Sequence, residues 1–400
     1  MKKFPKDFKW GVSTSSYQIE GGNNNSDWAL WEEKRGIEKA GIACDSYRKY
    51  DKDIEALEKL NVNAYRFSIE WSRIEPKDGE WNLEALEYYK DLIKKLKSKG
   101  IEPFVTLFHF SLPLWISEQK GFENKKSIQY FKRYTEFIVE NLGADVNFWI
   151  TINEPVIFAS LGYLDAEWPP GKRSYRKYLK VIKNLEQSHI ISYKKINEVY
   201  KKYGWSKPAI SMSFNNSNFE AKDFLSRIYI GIVKYIFNYS VINKVINYLD
   251  FIGLNVYFYN EIEFAPFKDG NLFFRKVKHD NLEKADVLGW EIYPKIMYNL
   301  VTDIYKRYKK DIYITENGIS DTDDSKREKY IKDNLRYLLK SIDEGASVKG
   351  YFHWTLSDNF EWVNGYKAKF GLCYIDSSSE RVLKKSGEYY AKIAQTNSLN

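Results

Sequence analysis

Strand-like and helix-like segments alternate along the whole chain, and this alternation restricts the possible folds more than any other feature. Short stretches rich in β-branched and aromatic residues are separated by stretches with apolar residues at helical spacing. The predicted strands are 8–17, 63–71, 103–110, 147–154, 209–214, 251–258, 312–315 and 348–355. The predicted helices are 47–61, 83–99, 127–141, 175–203, 221–248, 294–308, 324–344 and 388–394. Such alternation predicts parallel β-α units, and eight of them close into a single (β/α)8 TIM barrel over residues 1–400.

Two of the predicted strands deliver a carboxylate at their ends. Glu154 ends one apolar strand just before Pro155, and Glu316 ends another just before the turn at 317–318. In a barrel of this kind the functional residues lie at the carboxyl ends of the strands. The sequence therefore predicts an active site with two carboxylates. Other polar or aromatic residues fall at or near strand ends and are candidates for the same site: Gln18, His109, Tyr257 and Trp354.

Composition excludes several other classes of protein. The net charge of +8 comes from 62 basic and 54 acidic residues that alternate along helical segments, which is typical of solvated helix faces and not of a nucleic-acid interface. Cys44 and Cys373 have no metal-ligand spacing and are expected to be unpaired thiols in a reducing compartment. No signal peptide and no apolar run of membrane-spanning length is apparent. We therefore expect a cytoplasmic protein with no membrane span and no nucleic-acid partner.

Six motifs in order resemble glycoside hydrolase family 1, the β-glucosidase and β-galactosidase family. They are Phe8-Lys-Trp-Gly11, Arg66-Phe-Ser68, Trp71-Ser-Arg73, Thr151-Ile-Asn-Glu-Pro155, Ile314-Thr-Glu-Asn-Gly318 and Asp358-Asn-Phe-Glu-Trp362. The likeness extends from about residue 4 to residue 376. It implies a retaining β-glycosidase acting on terminal unphosphorylated β-D-glucosides or β-D-galactosides, with no metal and no cofactor.

The resemblance also assigns roles. Glu154 would be the acid/base and Glu316 the nucleophile, because glycoside cleavage needs one carboxylic acid and one carboxylate. Arg66 and Tyr257 would support the nucleophile. The residues expected to bind the sugar are Gln18, His109, Asn153, Glu361 and Trp362 at the hydroxyls and Trp354 beneath the ring. Without the motifs, His109 and the tryptophans would be read as core residues, and each glutamate as half of a buried ion pair.

Several positions depart from the common pattern. His109-Phe-Ser-Leu-Pro113 is closer to the form found in archaeal-type members. Glu70 stands where the family often has Ser and adds a third carboxylate near the mouth, with Arg73 as its expected partner. Lys369 replaces the usual Arg, and the segment 215–249 is shorter than in most relatives. These departures leave the catalytic pair in place and bear on substrate preference.

Two alternative functions stay open at this point. A 6-phospho-β-glycosidase would need a phosphate site, and although Lys367 and Lys369 are near, the charge of Glu361 would repel a 6-phosphate. A non-catalytic sugar-binding protein could have the same fold, but such proteins are expected to lose one of the two glutamates, and both are present. Hydrolysis of a chromogenic aryl β-glucoside separates these possibilities.

The aromatic-rich stretch 224–239 has more apolar residues than one barrel-facing stripe requires. One interpretation is that neighbouring helices bury it. The other is that it forms an open wall and an apolar surface for a partner subunit, as in a homo-oligomer, or for a bulky ligand.

Overall fold

The computed structural model describes residues 2–266 and 274–399 and contains the predicted (β/α)8 barrel. Its parallel strands pair in a closed ring in which each strand hydrogen-bonds to the next and the eighth returns to the first. The strands are β1 (Lys9–Ser13), β2 (Ala64–Ser68), β3 (Glu102–Phe108), β4 (Phe148–Asn153), β5 (Ala209–Ala221), β6 (Ile252–Phe264), β7 (Ile312–Asn317) and β8 (Val348–Trp354).

The outer helices agree with the predicted segments to within a few residues, apart from α5. They are α1 (Ser46–Lys59), α2 (Leu83–Ser98), α3 (Ser127–Leu142), α4 (Tyr175–Tyr203), α5 (Phe224–Lys234), α6 (Lys295–Tyr308), α7 (Arg327–Asp343) and α8 (Lys385–Thr396). Further short helices lie in the connections: Ser16–Ile19, Asp27–Arg35, Trp71–Ile74, Leu114–Glu118, Pro155–Tyr163 and Ser240–Val245. Short strands pair outside the barrel: Lys2–Lys3 with Ser398–Leu399, Cys373–Ile375 with Arg381–Leu383, and Phe274–Lys276 with the end of β6.

Aromatic side chains fill the amino-terminal end of the barrel. Phe104 stacks on Phe148 at 4.1 Å between ring centroids and meets Phe352 edge-on at 4.7 Å. Gly11 leaves room for this packing, because a Cβ there would lie 2.4 Å from the Phe352 ring. The buried cluster closes this end of the barrel, so the strand ends with the two glutamates form the open end.

The first two strands end earlier than predicted. The Ser16 backbone N–H donates to Ser68 Oγ at 2.7 Å, and this bond turns the chain into the short helix Ser16–Ile19. Gln18 is therefore on a helical turn beyond β1 and not on the strand itself. Similarly, Glu70 caps the helix Trp71–Ile74, and its side chain accepts a hydrogen bond from the Ser72 N–H.

The fifth and sixth strands continue past the barrel rim. They stay paired in parallel up to Ala221 and Ile262. The predicted helix 221–248 accordingly begins only at Phe224. It is then interrupted by a π-helical turn at Tyr235–Tyr239 before the helix Ser240–Val245.

The interpretation that neighbouring helices bury α5 is wrong. Phe224 is 72% exposed, Ile228 59%, Ile232 57% and Tyr235 54%. The buried side chains of α5 are Ser226 and Ile230, which face the protein. The helix therefore presents its larger apolar side chains to solvent, and we call this surface the α5 apolar face.

The expected pairing of Glu70 with Arg73 is also wrong. Arg73 pairs with Glu20 at 3.0 Å, and Glu70 is fully buried, with serine side chains as its partners. Glu70 is thus held by serine hydroxyls and not by Arg73. In the described part of the chain, no helix is long and apolar enough to cross a bilayer.

Candidate active site

A cavity of about 350 Å³ opens at the carboxyl ends of the barrel strands. The structure brings most of the predicted site residues to its walls: Gln18, His109, Glu154, Tyr257, Glu316, Trp354, Glu361 and Trp362. Arg66 and Asn153 are fully buried beneath these walls and contact the lining residues. All ten residues selected from the sequence therefore line this cavity or lie directly beneath it.

Glu316 is held at both of its carboxylate oxygens. The buried Arg66 guanidinium donates to Oε1, and the Tyr257 hydroxyl donates to Oε2 at 2.9 Å. Burial raises the pKa of Glu316, whereas Arg66 and Tyr257 oppose that rise by stabilising the carboxylate. The two bonds also fix the orientation of the carboxylate, as an attacking nucleophile requires.

Glu154 occupies the turn between β4 and the helix Pro155–Tyr163, with a left-handed backbone at φ 41°. Its Oε1 accepts hydrogen bonds from Asn255 at 2.7 Å and from Asn215 at 3.1 Å. Burial, reinforced by the charge of Glu316, raises the pKa of Glu154 to about 8. Glu154 is therefore mostly protonated at neutral pH. Because both amides bond to Oε1, Oε2 is the oxygen left to carry the proton.

Side-chain amides connect the two glutamates. Asn153 Oδ1 accepts from Arg66 at 2.7 Å and from Asn255 at 3.2 Å. Asn255 in turn accepts a hydrogen bond from Thr315 at 2.7 Å and stabilises the charged form of both glutamates. Asn255 therefore bonds to Glu154 directly and influences the pKa of both glutamates.

Asn255 and Asn215 were not predicted from the sequence. Asn255 precedes Tyr257 by two residues on β6, so both side chains point to the same face of the strand, and this spacing could have revealed it. Asn215 follows the predicted end of its strand, and only the continuation of β5 beyond residue 214 places it over the pocket.

Gln18 and Glu361 form the polar side of the pocket. Gln18 Nε2 donates to Glu361 Oε2 at 3.1 Å and to the Phe360 carbonyl at 2.7 Å, while Ser15 donates to Gln18 Oε1 at 2.7 Å. Burial raises the pKa of Glu361 to about 8. The repulsion of a 6-phosphate by Glu361 that the sequence predicts is therefore weaker at neutral pH than for a fully ionised carboxylate.

His109 is a neutral imidazole. Burial lowers its pKa well below the ordinary value, and Arg66 adds to this effect. Its Nε2 is 3.2 Å from Asn153 Nδ2, and its ring lies nearly parallel to Trp354 at 5.9 Å between centroids. Nδ1 has no partner among the described residues. As a neutral imidazole, His109 can donate one hydrogen bond or accept one from an uncharged ligand group.

Aromatic rings surround the outer part of the pocket. Trp168, which sequence reasoning did not select, meets Phe110 at 4.8 Å and Trp362 at 5.5 Å. On the opposite side, Tyr257 and Phe258 pack against Trp290. The apolar faces of pyranose rings pack well on such surfaces, so this outer region suits a sugar or an aryl group.

Among the described residues that line the cavity, none is a lysine or an arginine. Lys367 is exposed, and neither Lys367 nor Lys369 lines the cavity. This composition favours an uncharged polyhydroxylated ligand over an anionic one.

Two buried carboxyl groups in opposed environments, at the open end of a (β/α)8 barrel and ringed by polar side chains and tryptophans, define a glycoside hydrolase. The chain belongs to Glycosyl hydrolase family 1, whose sequence model matches residues 1–224 and 233–399.

Known proteins of similar sequence align over the full length. Beta-glucosidase A from Thermotoga maritima is 35% identical to this chain, and the alignment covers 100% of this chain and 99% of that protein. The 1,4-beta-D-glucan glucohydrolase from Thermotoga neapolitana is 33% identical, with 100% of both chains covered. A 6-phospho-beta-galactosidase from Staphylococcus haemolyticus is 32% identical, with 99% of both chains covered.

Solved structures agree with the fold. The β-glucosidase from Thermotoga maritima in complex with castanospermine superposes with a TM-score of 0.92 at 34% identity, with 100% of both chains covered. The same enzyme in complex with deoxynojirimycin gives a TM-score of 0.90.

Proposed function

We propose that this protein is a retaining β-glycosidase that hydrolyses terminal, unphosphorylated β-D-glucosides and β-D-galactosides. Glu316 is the nucleophile and Glu154 is the acid/base. The observation that carries the proposal is the contrast between the two carboxyl groups. Arg66 and Tyr257 donate hydrogen bonds to Glu316 and stabilise its carboxylate form, whereas burial and the charge of Glu316 raise the pKa of Glu154 to about 8. One acid and one carboxylate lining the same cavity suit a double displacement.

In the first step Glu316 attacks the anomeric carbon while Glu154 donates its proton to the glycosidic oxygen. The bond to the leaving group breaks, the alcohol departs, and the sugar is esterified to Glu316. The negative charge of Glu316 is then lost, and that charge is one cause of the high pKa of Glu154. The pKa of Glu154 therefore falls at the moment when Glu154 must act as a base.

In the second step Glu154 accepts a proton from water as the water oxygen attacks the anomeric carbon. The ester bond to Glu316 breaks, and the sugar leaves with its β configuration restored. Both glutamates return to their starting protonation states. No metal or cofactor enters this scheme, since the two carboxyl groups supply the acid, the base and the nucleophile.

The remaining site residues bind the sugar in this proposal. Uncharged polar groups can donate hydrogen bonds to sugar hydroxyls or accept them. The residues assigned to the hydroxyls are Gln18, His109, Asn153, Glu361 and Trp362, and Trp354 is assigned to the face beneath the ring. Asn153 is placed at the 2-hydroxyl, where a hydrogen bond can strengthen in the transition state. Arg66 supports this contact because it fixes Asn153 Oδ1 at 2.7 Å.

Proton NMR at early times tests the stereochemistry. With an aryl β-glucoside the first product is expected to be the β anomer, which then equilibrates with the α anomer. A 2-fluoro glycoside with a good leaving group should label Glu316 in intact-mass and peptide analysis. Release of the α anomer first would exclude Glu316 as a nucleophile.

A 6-phospho-β-glycosidase is the alternative that the Staphylococcus haemolyticus relative raises. The absence of lysine and arginine among the described lining residues disfavours it, because a phosphate dianion needs a cation nearby. A non-catalytic sugar-binding role is disfavoured by the pKa of Glu154, which matches the work of an acid. A panel of plain and 6-phosphorylated aryl β-glycosides distinguishes the three functions.

The cellular setting and assembly are part of the proposal. Two buried, unpaired cysteines, Cys44 and Cys373, support a reducing, cytoplasmic location. The α5 apolar face supports a homo-oligomer in which a second copy covers it. Residues 225–232, which carry part of this face, lie between the two segments that the family sequence model matches.

Light scattering tests the assembly. Tyr235 and Phe237 are exposed in the turn that directly follows α5 and extends its apolar face. Tyr235→Ser combined with Phe237→Ser should lower the oligomeric state, whereas Tyr374→Ser is a matched control because Tyr374 is 45% exposed elsewhere on the surface. A wild-type protein that is monomeric at all concentrations would rule out the homo-oligomer.

A further inference from the structure

Glu70 is a fully buried carboxyl group that is bound by hydroxyls. Ser72 donates to its Oε1 at 2.6 Å, and Ser16 and Ser111 donate to its Oε2 at 3.0 and 2.8 Å. The Ser72 N–H adds a fourth bond at 3.3 Å. Within residues 2–266 and 274–399, no ion pair to Glu70 is found. A buried carboxyl group is costly, so an arrangement that binds it through serines points to a specific role.

The three serines belong to three different connections at the open end of the barrel. Ser16 lies in the helix Ser16–Ile19, two residues before Gln18. Ser111 follows His109 by two residues, and its N–H donates to the His109 carbonyl at 3.0 Å. Ser72 lies in the helix after β2, the strand of Arg66. Glu70 therefore joins the segments that carry Gln18 and His109 to the strand that carries Arg66.

Glu70 and the three serines bound to it, which we call the joint, are anchored to the body of the barrel. The Glu70 N–H donates to the Tyr89 hydroxyl at 2.8 Å, and Tyr89 donates to Glu20 at 2.5 Å. Arg73 pairs with Glu20 at 3.0 Å and completes the connection. Tyr89 is fully buried in α2. Glu70 thus has a fixed position, and the loops that bind to it are fixed by it.

We propose that Glu70 is a positioning residue that sets the relative placement of Gln18 and His109, the groups assigned to sugar hydroxyls. This inference rests on the proposed function and deepens it. A carboxylate is suited to this task because each oxygen can accept more than one hydrogen bond, so two loops can share Oε2. A glutamine replaces one accepting oxygen with an NH2 group, so at least one serine hydroxyl that now donates would have to turn and accept, and the loop that carries it would shift.

The test compares Glu70→Gln with Glu75→Gln. Glu75 is an equally buried carboxylate nearby, but its partners are Trp71, Gly79 and Arg133, which are outside the sugar site. We expect Glu70→Gln to lower kcat/KM for an aryl β-glucoside roughly 10- to 100-fold, since small displacements of binding groups have effects of that size. Glu75→Gln should lower Tm but leave kcat/KM near the wild-type value. Equal effects of the two variants on kcat/KM would refute the proposal.

Double-variant cycles separate positioning from a general loss of stability. Glu70→Gln should cost less in a His109→Ala or Gln18→Ala background than in the wild type, because the group through which it acts is already gone. The pH limits of kcat/KM should not move, since Glu70 contacts neither Glu154 nor Glu316 in the structure. The same fold-loss in all three backgrounds would show that Glu70 does not act through these residues.

Single serine variants keep the test decisive if Glu70→Gln does not fold. Ser111→Ala should be non-additive with His109→Ala and additive with Gln18→Ala, and Ser16→Ala should show the reverse. Full additivity in every pair would overturn the proposal. The wild-type enzyme is assayed first: failure to hydrolyse any β-glycoside contradicts the proposed function, whereas normal turnover by both the wild type and Glu70→Gln contradicts only the role of Glu70.

Discussion

Asn255 donates a hydrogen bond to Glu154 Oε1 at 2.7 Å. This bond stabilises the charged form of Glu154 and so lowers its pKa against the larger effect of burial. Asn255 is held in turn by Thr315, the residue before Glu316. The position and acidity of the proposed acid are therefore tied to the strand of the proposed nucleophile.

Asn255→Ala should raise the pKa of Glu154 and move the basic limit of kcat/KM upward by about one to two pH units, because a hydrogen bond to a charged group is worth about 1.5–3 kcal/mol. Glu154 then keeps its proton to a higher pH. Asn215→Ala is the matched control, since its bond is longer at 3.1 Å and its effect should be smaller. An unchanged basic limit in Asn255→Ala would contradict this account.

The wild-type pH profile of kcat/KM should be bell-shaped. Glu154 acts in its protonated form, so activity is lost as the pH rises through its pKa of about 8. Glu316 acts as a carboxylate, so activity is lost as the pH falls through its pKa, which burial raises above the ordinary glutamate value. With an activated substrate, Glu154→Gln should remove the basic limit. If the limit persists, another residue is responsible for it.

Glu316→Ala should abolish turnover, because no other described group stands at the position of its carboxylate between Arg66 and Tyr257. Azide is small enough to enter the space and attack the anomeric carbon from that side. The expected product is the α-glycosyl azide, detected by NMR or mass spectrometry. Formation of the β-azide would reverse the assignment of the two glutamates.

Glu154→Ala should affect substrates according to their leaving groups. A poor leaving group needs the proton, so its rate should fall about 100- to 10,000-fold, whereas a dinitrophenolate leaves without protonation and its first step should change little. Steady-state and burst kinetics with a series of aryl β-glucosides measure this difference. An equal loss for all members of the series would argue against an acid role for Glu154.

A plain aryl β-glucoside should be hydrolysed with a higher kcat/KM than its 6-phosphate. The reason is the absence of a cation among the described lining residues, together with the carboxyl group of Glu361, which can bond to a free hydroxyl. The preference should grow as the pH rises towards 8, because Glu361 then gains its charge. A higher kcat/KM for the phosphorylated substrate would favour the alternative function.

The local sequence determined the barrel and most of the site. Strand and helix periodicities are local properties, and parallel strands bring their carboxyl ends to one edge whatever the details of packing. Glu154 and Glu316 could be selected because each ends a buried strand next to Pro155 or Asn317. The motifs then supplied the sugar-side residues, which are spread over several distant connections.

Only the tertiary structure decided the surroundings of these residues. Asn215 reaches Glu154 because β5 and β6 continue past the rim as a pair, and pairing between distant strands leaves no local signal. The pKa of Glu361 depends on burial by the assembled barrel, so its expected charge could not be judged from the sequence. Glu70 lies three residues from Arg73, but Arg73 forms its ion pair with Glu20. The side chain of Glu70 instead accepts hydrogen bonds from Ser16 and Ser111. The exposure of α5 could not be predicted from the sequence for the same reason. An apolar stretch indicates a surface that avoids water, but only three-dimensional packing shows whether other parts of this chain bury it.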